Sequence, residues 1–192
     1  MTIKPGYNLL AIPFDALDSE QGTPITEVIS GSPKAGDNIQ YWNGERLVLV
    51  TYSNSRGWIN GDGVYLKPGQ GFWYNSKDSV EKTFLVRGKI AKTSDQTIVL
   101  ESAGIYLVGP TIPQTYTLSQ ITFSNIRNGS TIQFWDETET PKRLRIITYT
   151  SRGWLLDGAS AADHVILPAE GFWFNAKAAG TTISFPFTTT AE

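Results

Sequence analysis

Two tandem units of an all-β protein are what this sequence predicts, and three observations carry the prediction. Four segments recur in the same order in the two halves, the strand-forming stretches alternate apolar and polar residues, and those stretches are bounded by Gly, Pro, Asn and Asp. The units are expected at residues 2–91 and 96–192, with "KTSD" between them. Each is expected to be a small antiparallel sandwich or open barrel of about five to seven strands with one short helix. So short a linker leaves little room for independent motion, which predicts packing about a pseudo-twofold axis.

The repeats can be followed along the chain. "GYNLLAIP" (Gly6 to Pro13) corresponds to "GIYLVGP" (Gly104 to Pro110), and "AGDNIQYW" (Ala35 to Trp42) to "NGSTIQFW" (Asn128 to Trp135). "VTYSNSRGW" (Val50 to Trp58) then matches "ITYTSRGW" (Ile147 to Trp154), and "LKPGQGFWYNSK" (Leu66 to Lys77) matches "ILPAEGFWFNAK" (Ile166 to Lys177). The stretches "ERLVLVTYS", "GFWYNSK" and "KTFLVRGKI", like their partners "KRLRIITYT", "GFWFNAK" and "TTISFPFTT", are rich in β-branched and aromatic residues and read as strands. In "RLRIITYT", Leu144, Ile146 and Thr148 fall on one face, with Arg143, Arg145, Ile147 and Tyr149 on the other. That suits a sheet with one face packed and one partly wet.

Helical turns are expected at "TPITEVI" and "TLSQITF", where Thr ahead of an apolar pair can cap a short helix. Asn43-Gly44, between "NIQYW" and "ERLVLV", predicts a two-residue hairpin whose positive φ angles this pair supplies at low cost. The second copy lengthens that loop with Asp136, Glu137 and Glu139. "PGQG" and "PAEG" read as turns, Pro fixing φ at the first central position.

Composition excludes several classes of function. With 40% hydrophobic and 18% charged residues, the chain has material for a core and too little charge for a disordered tail. A net charge of -2 with scattered basic residues gives no footprint for a nucleic acid backbone. No apolar run approaches the roughly 18 residues of a membrane helix. Cysteine is absent, so disulfides, thiolate metal sites and a cysteine nucleophile are excluded. His164, the one histidine, corresponds to Val64 in the other copy and reads as a loop or strand-edge residue rather than a zinc ligand. "NGDG" and "DETE" offer oxygen atoms without the spacing of a calcium loop, and the Gly pairs precede strands rather than helices. No cofactor or metal is expected.

Two sets of residues could carry function. Aromatics recur in both halves: Tyr41-Trp42 and Phe134-Trp135, Trp58 and Trp154, Phe72-Trp73-Tyr74 and Phe172-Trp173-Phe174. Three consecutive aromatics in a strand cannot face one way, so Trp73 and Trp173 must point opposite to their neighbours. Rigid exposed rings are surfaces for stacking sugar rings or peptide side chains, and a repeated aromatic is equally a shared core residue. Trp58, Trp73, Trp154 and Trp173 are the ligand-binding candidates. The second set is the Asp-Gly pairs of "RGWINGDG" and "RGWLLDGASAAD".

"LLDGASAADHVI" resembles the active-site strand of retropepsin-like aspartic proteases, in which an apolar pair leads into Asp-Thr-Gly-Ala and each half of a pseudo-twofold protein supplies one Asp. The resemblance implies that Asp62 and Asp157 share a proton at about 3 Å and divide acid and base work on a water. In this chain Gly follows Asp directly in both copies, and the two Asp residues sit one place apart relative to the shared Arg-Gly-Trp. The other reading of both pairs is a turn.

The ordered set "G-x-N-L-x-x-x-P", "I-Q-Y-W-N-G", "G-W" and "P-G-Q-G-F-W" resembles a poorly characterised module of secreted and cell-surface bacterial proteins. That resemblance covers nearly all of both halves and implies an extracellular or periplasmic β module whose signal peptide has been left off the sequence. It carries no catalytic residues over. Three readings stay open: a non-catalytic module binding glycan or protein through aromatics, a pseudo-symmetric aspartic peptidase using Asp62 and Asp157, and a purely structural surface module.

Overall fold

The period-two pattern resolves into two open antiparallel sheets, one from each half of the chain. A computed structural model describes residues 2–17, 20–28, 31–92, 96–136 and 143–187. The first sheet has five strands in the order Gly6–Ala11, Gly71–Ser76, Asn38–Trp42, Leu47–Ser53 and Gly57–Ile59. The second has six, in the order Gly104–Val108, Phe172–Ala176, Thr131–Asp136, Arg143–Thr150, Gly153–Leu156 and Ala159–Ser160. Neither closes into a barrel. Residues 93–95 of the expected linker and 137–142 of the lengthened loop lie outside the described residues.

Each sheet buries one face. In the first, Ile39, Tyr41, Val50, Phe72 and Tyr74 pack against Ile25 and Val28 of a one-turn helix, Ile25–Val28, and against Leu66 and Phe84. In the second, Ile132, Ile147, Phe172 and Phe174 pack against Leu100, Ile183 and Phe185. Leu100 and Ile183 come from a three-stranded sheet of Thr97–Leu100, Thr181–Ser184 and Thr122–Ser124, which covers that core. Ala91, the last residue assigned to the first unit, is buried in this second cluster.

Two local expectations are corrected and two are made more specific. The helical turn of the second half is a 3₁₀ turn, Leu118–Gln120, in which Thr117 N donates to Gln120 Oε1 at 2.8 Å and closes the first turn from the side chain. The segment 82–90 is strand only at Lys82–Thr83, because its partner Thr2–Ile3 is two residues long. Asn43 and Gly44 are not the central pair of a two-residue turn. The loop spans four residues, and Asn43 Oδ1 accepts from Glu45 N at 3.0 Å and Arg46 N at 2.9 Å, so Asn43 acts through its side chain. In Arg143–Thr150 it is the mixed face that packs. Ile147 is fully buried, whereas Leu144 and Ile146 are exposed.

The two halves meet at the outer edges of the strands Gly6–Ala11 and Gly104–Val108. Leu10 bridges Glu170 and Val108 bridges Gln70, both antiparallel. Ala11 N donates to Ala169 O at 2.9 Å, Gly171 N to Leu9 O at 3.0 Å, and Gly109 N to Gly69 O at 3.0 Å. Backbone can come this close only without side chains between. A Cβ on Gly71 would lie 2.5 Å from Leu107 Cγ, one on Gly171 would lie 2.6 Å from Leu10 O, and one on Gly109 would lie 2.5 Å from Ala11 Cβ. The docking elements are the two Pro turns, closed by Gln70 N to Lys67 O at 3.0 Å and Glu170 N to Leu167 O at 3.1 Å. Gly69 (φ +75°) and Ala169 (φ +63°) hold the left-handed position each turn requires.

The first core contains a charge. Asp37 is fully buried and accepts from Tyr74 Oη at 2.5 Å, Lys77 N at 2.6 Å and Lys34 N at 2.8 Å. Burial and the adjacent carboxylate push the Tyr74 phenol well above its ordinary range. At the matching positions of the second half stand Ser130 and Phe174, where Lys177 N donates to Ser130 Oγ at 3.3 Å. The hydroxyl and the carboxylate that needs it are thus present together or absent together.

Three substitutions and a pH series follow from these cores. Tyr74→Phe removes one donor from a buried carboxylate and is expected to cost about 1–3 kcal/mol by urea unfolding. Combining it with Asp37→Ser should cost clearly less than the two single changes added, and strict additivity would refute the coupling. Burial pushes the Tyr116 phenol up to about 12. Unfolded tyrosine titrates near 10, so above about pH 10 the unfolded chain sheds a proton that the folded chain keeps. Stability from this group is complete below that pH and is lost as pH rises through the folded value. Urea midpoints should fall on the alkaline side, less steeply in Tyr116→Phe.

Candidate functional site

The unpacked faces of the two sheets carry the exposed aromatics. Alternation puts Phe72 and Tyr74 inward and leaves Trp73 half-exposed on the outer face, and Trp173 sits likewise between buried Phe172 and Phe174. Strand register then places the residues beside each Trp. Trp73 lies between Leu9 and Gln40, with Leu49 beyond Gln40. Trp173 lies between Leu107 and Gln133, with Ile146 beyond. The rows meet where Trp73 and Trp173 approach to 6.4 Å between ring centroids, tilted by 53°. Tyr7 stands edge-on to Trp73 at 6.0 Å.

Trp42 and Trp135 extend this face. Two residues beyond Gln40 and Gln133, they share the outward side and pair with Leu47 and Leu144. Trp42 is 55% and Trp135 42% exposed, more than any other tryptophan of the chain. They were not among the four candidates, although the alternation in "IQYW" and "IQFW" carries the signal: each Trp must share a face with a Gln.

A groove of about 1230 Å³ opens along the seam on this side. Its walls include Trp73 and Trp173, the exposed pair Trp42 and Leu47, the Pro68–Gly71 turn, and the strands Thr97–Leu100 and Gly104–Val108. Small-molecule sites are usually about 300–1,000 Å³, so the groove is somewhat larger than such a site. Gln40 and Gln70 bring amides to its lining. Gln40 Nε2 donates to Asn38 Oδ1 at 2.9 Å and to Tyr7 Oη at 3.5 Å, which fixes the amide and turns its oxygen to other donors. Tyr41, between Gln40 and Trp42, turns inward to the first core, where burial raises its phenol.

Trp58 and Trp154 lie elsewhere. Both are half-buried on the inner faces, where Trp58 packs on the first core beside Tyr52 at 5.3 Å. Trp154 stands against Phe123 at 5.0 Å and Tyr149 at 5.2 Å. Their burial is packing.

The two Asp-Gly pairs form two different turns. Asp157 (φ +51°) and Gly158 (φ +84°) are the central pair of the hairpin joining Gly153–Leu156 to Ala159–Ser160, with both φ angles positive as a type I′ turn requires. The Asp157 side chain is 73% exposed and its Oδ2 receives Arg145 Nη2 at 2.6 Å. Asp62 is exposed in the turn closed by Val64 N to Gly61 O at 3.2 Å. A shared-proton pair needs two carboxylates held together away from water. These stand in solvent beyond the outer strands of separate sheets, so the structure does not bring them into a dyad. Among the described residues no group of His, Asp and Glu could hold a metal ion, and no helix is long and apolar enough to cross a membrane. The His164 ring packs 4.3 Å from Phe134.

Compared with known proteins, the chain matches no family model, no curated protein and no solved structure.

The seam that joins the two aromatic rows is testable. Gly71→Ala and Gly171→Ala each force a side chain into a closed contact and are expected to lower stability by about 1–3 kcal/mol in urea unfolding. Tryptophan fluorescence should shift as Trp73 and Trp173 part. Unchanged stability and spectrum would show that the halves do not depend on this approach.

Proposed function

We propose that this chain is a non-catalytic binding module that receives a glycan chain on the aromatic face spanning both halves. One observation carries the reading: Trp73 and Trp173 meet across the seam, half-exposed and each flanked by a glutamine, and both line a groove of about 1230 Å³. Sugar rings have apolar faces and hydroxyl rims. Indole faces cover the first with little entropy to lose, and amides bond the second as both donor and acceptor.

The module is proposed to be a duplication with a pseudo-twofold axis between the two tryptophans. Several pairs of contacts support this. The seam bridges exchange matching residues, Leu10 with Glu170 and Val108 with Gln70. Gly36 N to Tyr52 O and Gly129 N to Tyr149 O are both 2.9 Å, while Tyr52 N to Asp37 O and Tyr149 N to Ser130 O are both 2.8 Å. On this reading the ligand lies across the axis and contacts both copies, and the protein works outside the cytoplasm where polysaccharides are met.

A screen of immobilised polysaccharides tests the function. Wild-type protein is expected to bind at least one class, and Trp73→Ala or Trp173→Ala should lower affinity at least about ten-fold, the loss of one good stacking contact. Trp154→Ala should lower the unfolding midpoint and leave binding of the folded protein in place. Retention on no polysaccharide would refute the reading in favour of a protein ligand or a purely structural module.

A further inference from the structure

Charge in the groove narrows the ligand class. Among the described residues, five side chains of fixed charge line it: Lys67, Lys89 and Lys92 against Asp15 and Glu20. Lys89 and Asp15 face each other across an antiparallel bridge, with Asp15 N to Lys89 O and Lys89 N to Asp15 O both at 2.9 Å, so their charges offset locally. The Lys89 ammonium also donates to the Leu17 carbonyl, and Asp15 Oδ1 accepts from Ala16 N at 2.9 Å. Among the described residues that leaves Lys67 and Lys92, both exposed, against Glu20. The described lining of the groove therefore carries one net positive charge on a molecule whose net charge is -2.

Lys67 is placed by its turn. Its backbone N–H donates to Gln70 Oε1 at 3.2 Å and its carbonyl accepts from Gln70 N, which fixes the Lys67 backbone at the turn leading into the strand Gly71–Ser76. The matching residue of the second half is Leu167, also exposed. Had the position served only to shield the turn, either residue would do. A lysine is found on the copy whose turn lines the groove.

We propose that the groove binds an acidic polysaccharide, with Lys67 and Lys92 receiving carboxylate or sulfate groups of a chain whose sugar rings stack on Trp73 and Trp173. The proposal rests on the glycan reading and specifies its ligand. Two unpaired ammonium groups suit a chain with spaced acid groups rather than a dense polyanion, and the negative molecule as a whole repels unspecific polyanion binding. Contacts of exposed lysines are screened by salt.

Titration calorimetry of the full chain with three probes tests this: alginate as the carboxylate chain, carrageenan as the sulfate chain and glucomannan as the neutral chain. The expected result is tighter binding of one acidic chain than of glucomannan, by about ten-fold for two exposed charge contacts. Lys67→Gln with Lys92→Gln should erase that difference, as should raising salt from about 0.01 to 1 M, and Trp73→Ala should weaken acidic and neutral chains alike. Which acidic chain wins identifies carboxylate or sulfate as the group received. Equal affinity for neutral and acidic chains, indifferent to the lysine pair, would overturn the proposal and leave the glycan reading standing. Acidic binding that ignores Trp73→Ala would overturn it by placing the ligand elsewhere. Binding of none of the three, in a protein that the polysaccharide screen also finds inert, would remove both.

Discussion

The close approach of backbone to backbone at Gly71, Gly109 and Gly171 is the constraint on which the rest of the molecule depends. Each of these glycines stands where a Cβ would fall within 2.5–2.6 Å of the other half. Because the chains touch there, the seam can be built from hydrogen bonds between main-chain groups rather than from a layer of side chains. An edge strand in one half is continued by a turn from the other, and the unpaired groups of both edges find partners. The two outer faces then meet at an angle that puts Trp73 and Trp173 in contact. A spacer of even one methyl group would separate the rings and divide the face in two.

That face is unusual in what it exposes. A half-buried sheet ordinarily alternates apolar residues inward with polar ones outward. Here Tyr7, Leu49, Ile105 and Ile146 all stand on the outer side and remain about half exposed. The inner sides are apolar as well, so the strands are apolar on both faces with glutamine and asparagine interspersed on the outer one. Extended apolar surface on a soluble protein marks a place where something else sits. The amides of Gln40 and Gln133 interrupt that apolar surface beside each Trp.

Much of this was legible in the sequence, and the failures have physical causes. The strands at 38–42, 47–53, 71–76 and their partners follow from alternation and flanking turn residues, because period two is a property of the backbone itself. The opposed directions of Phe72, Trp73 and Tyr74 follow the same way. The inward side of Arg143–Thr150 did not, because both of its faces are apolar enough to pack and the choice is made by what lies beneath, Leu100 and Ile183 from distant parts of the chain. Trp58 and Trp154 were indistinguishable from Trp73 and Trp173 by composition. Only the register to Tyr52 and Tyr149 places them inside. Asp157 illustrates the limit of a short local resemblance: an apolar pair before Asp-Gly describes a protease strand and a type I′ hairpin equally well, and the φ angle decides.

Since each half completes the other's edge, the order in which the chain is made has a cost. The strand Gly6–Ala11 takes its last hydrogen-bond partners from residues 169–171. During synthesis at about 5–20 residues per second, the first half can assemble its own sheet and core seconds before those residues exist. Through that interval it presents an unfinished strand edge beside the apolar outer face. The same geometry offers a neighbouring chain's 167–170 turn as a substitute, so crowded nascent chains would exchange halves rather than aggregate at random, and the glycines that let the seam close also decide how quickly the rightful partner claims it.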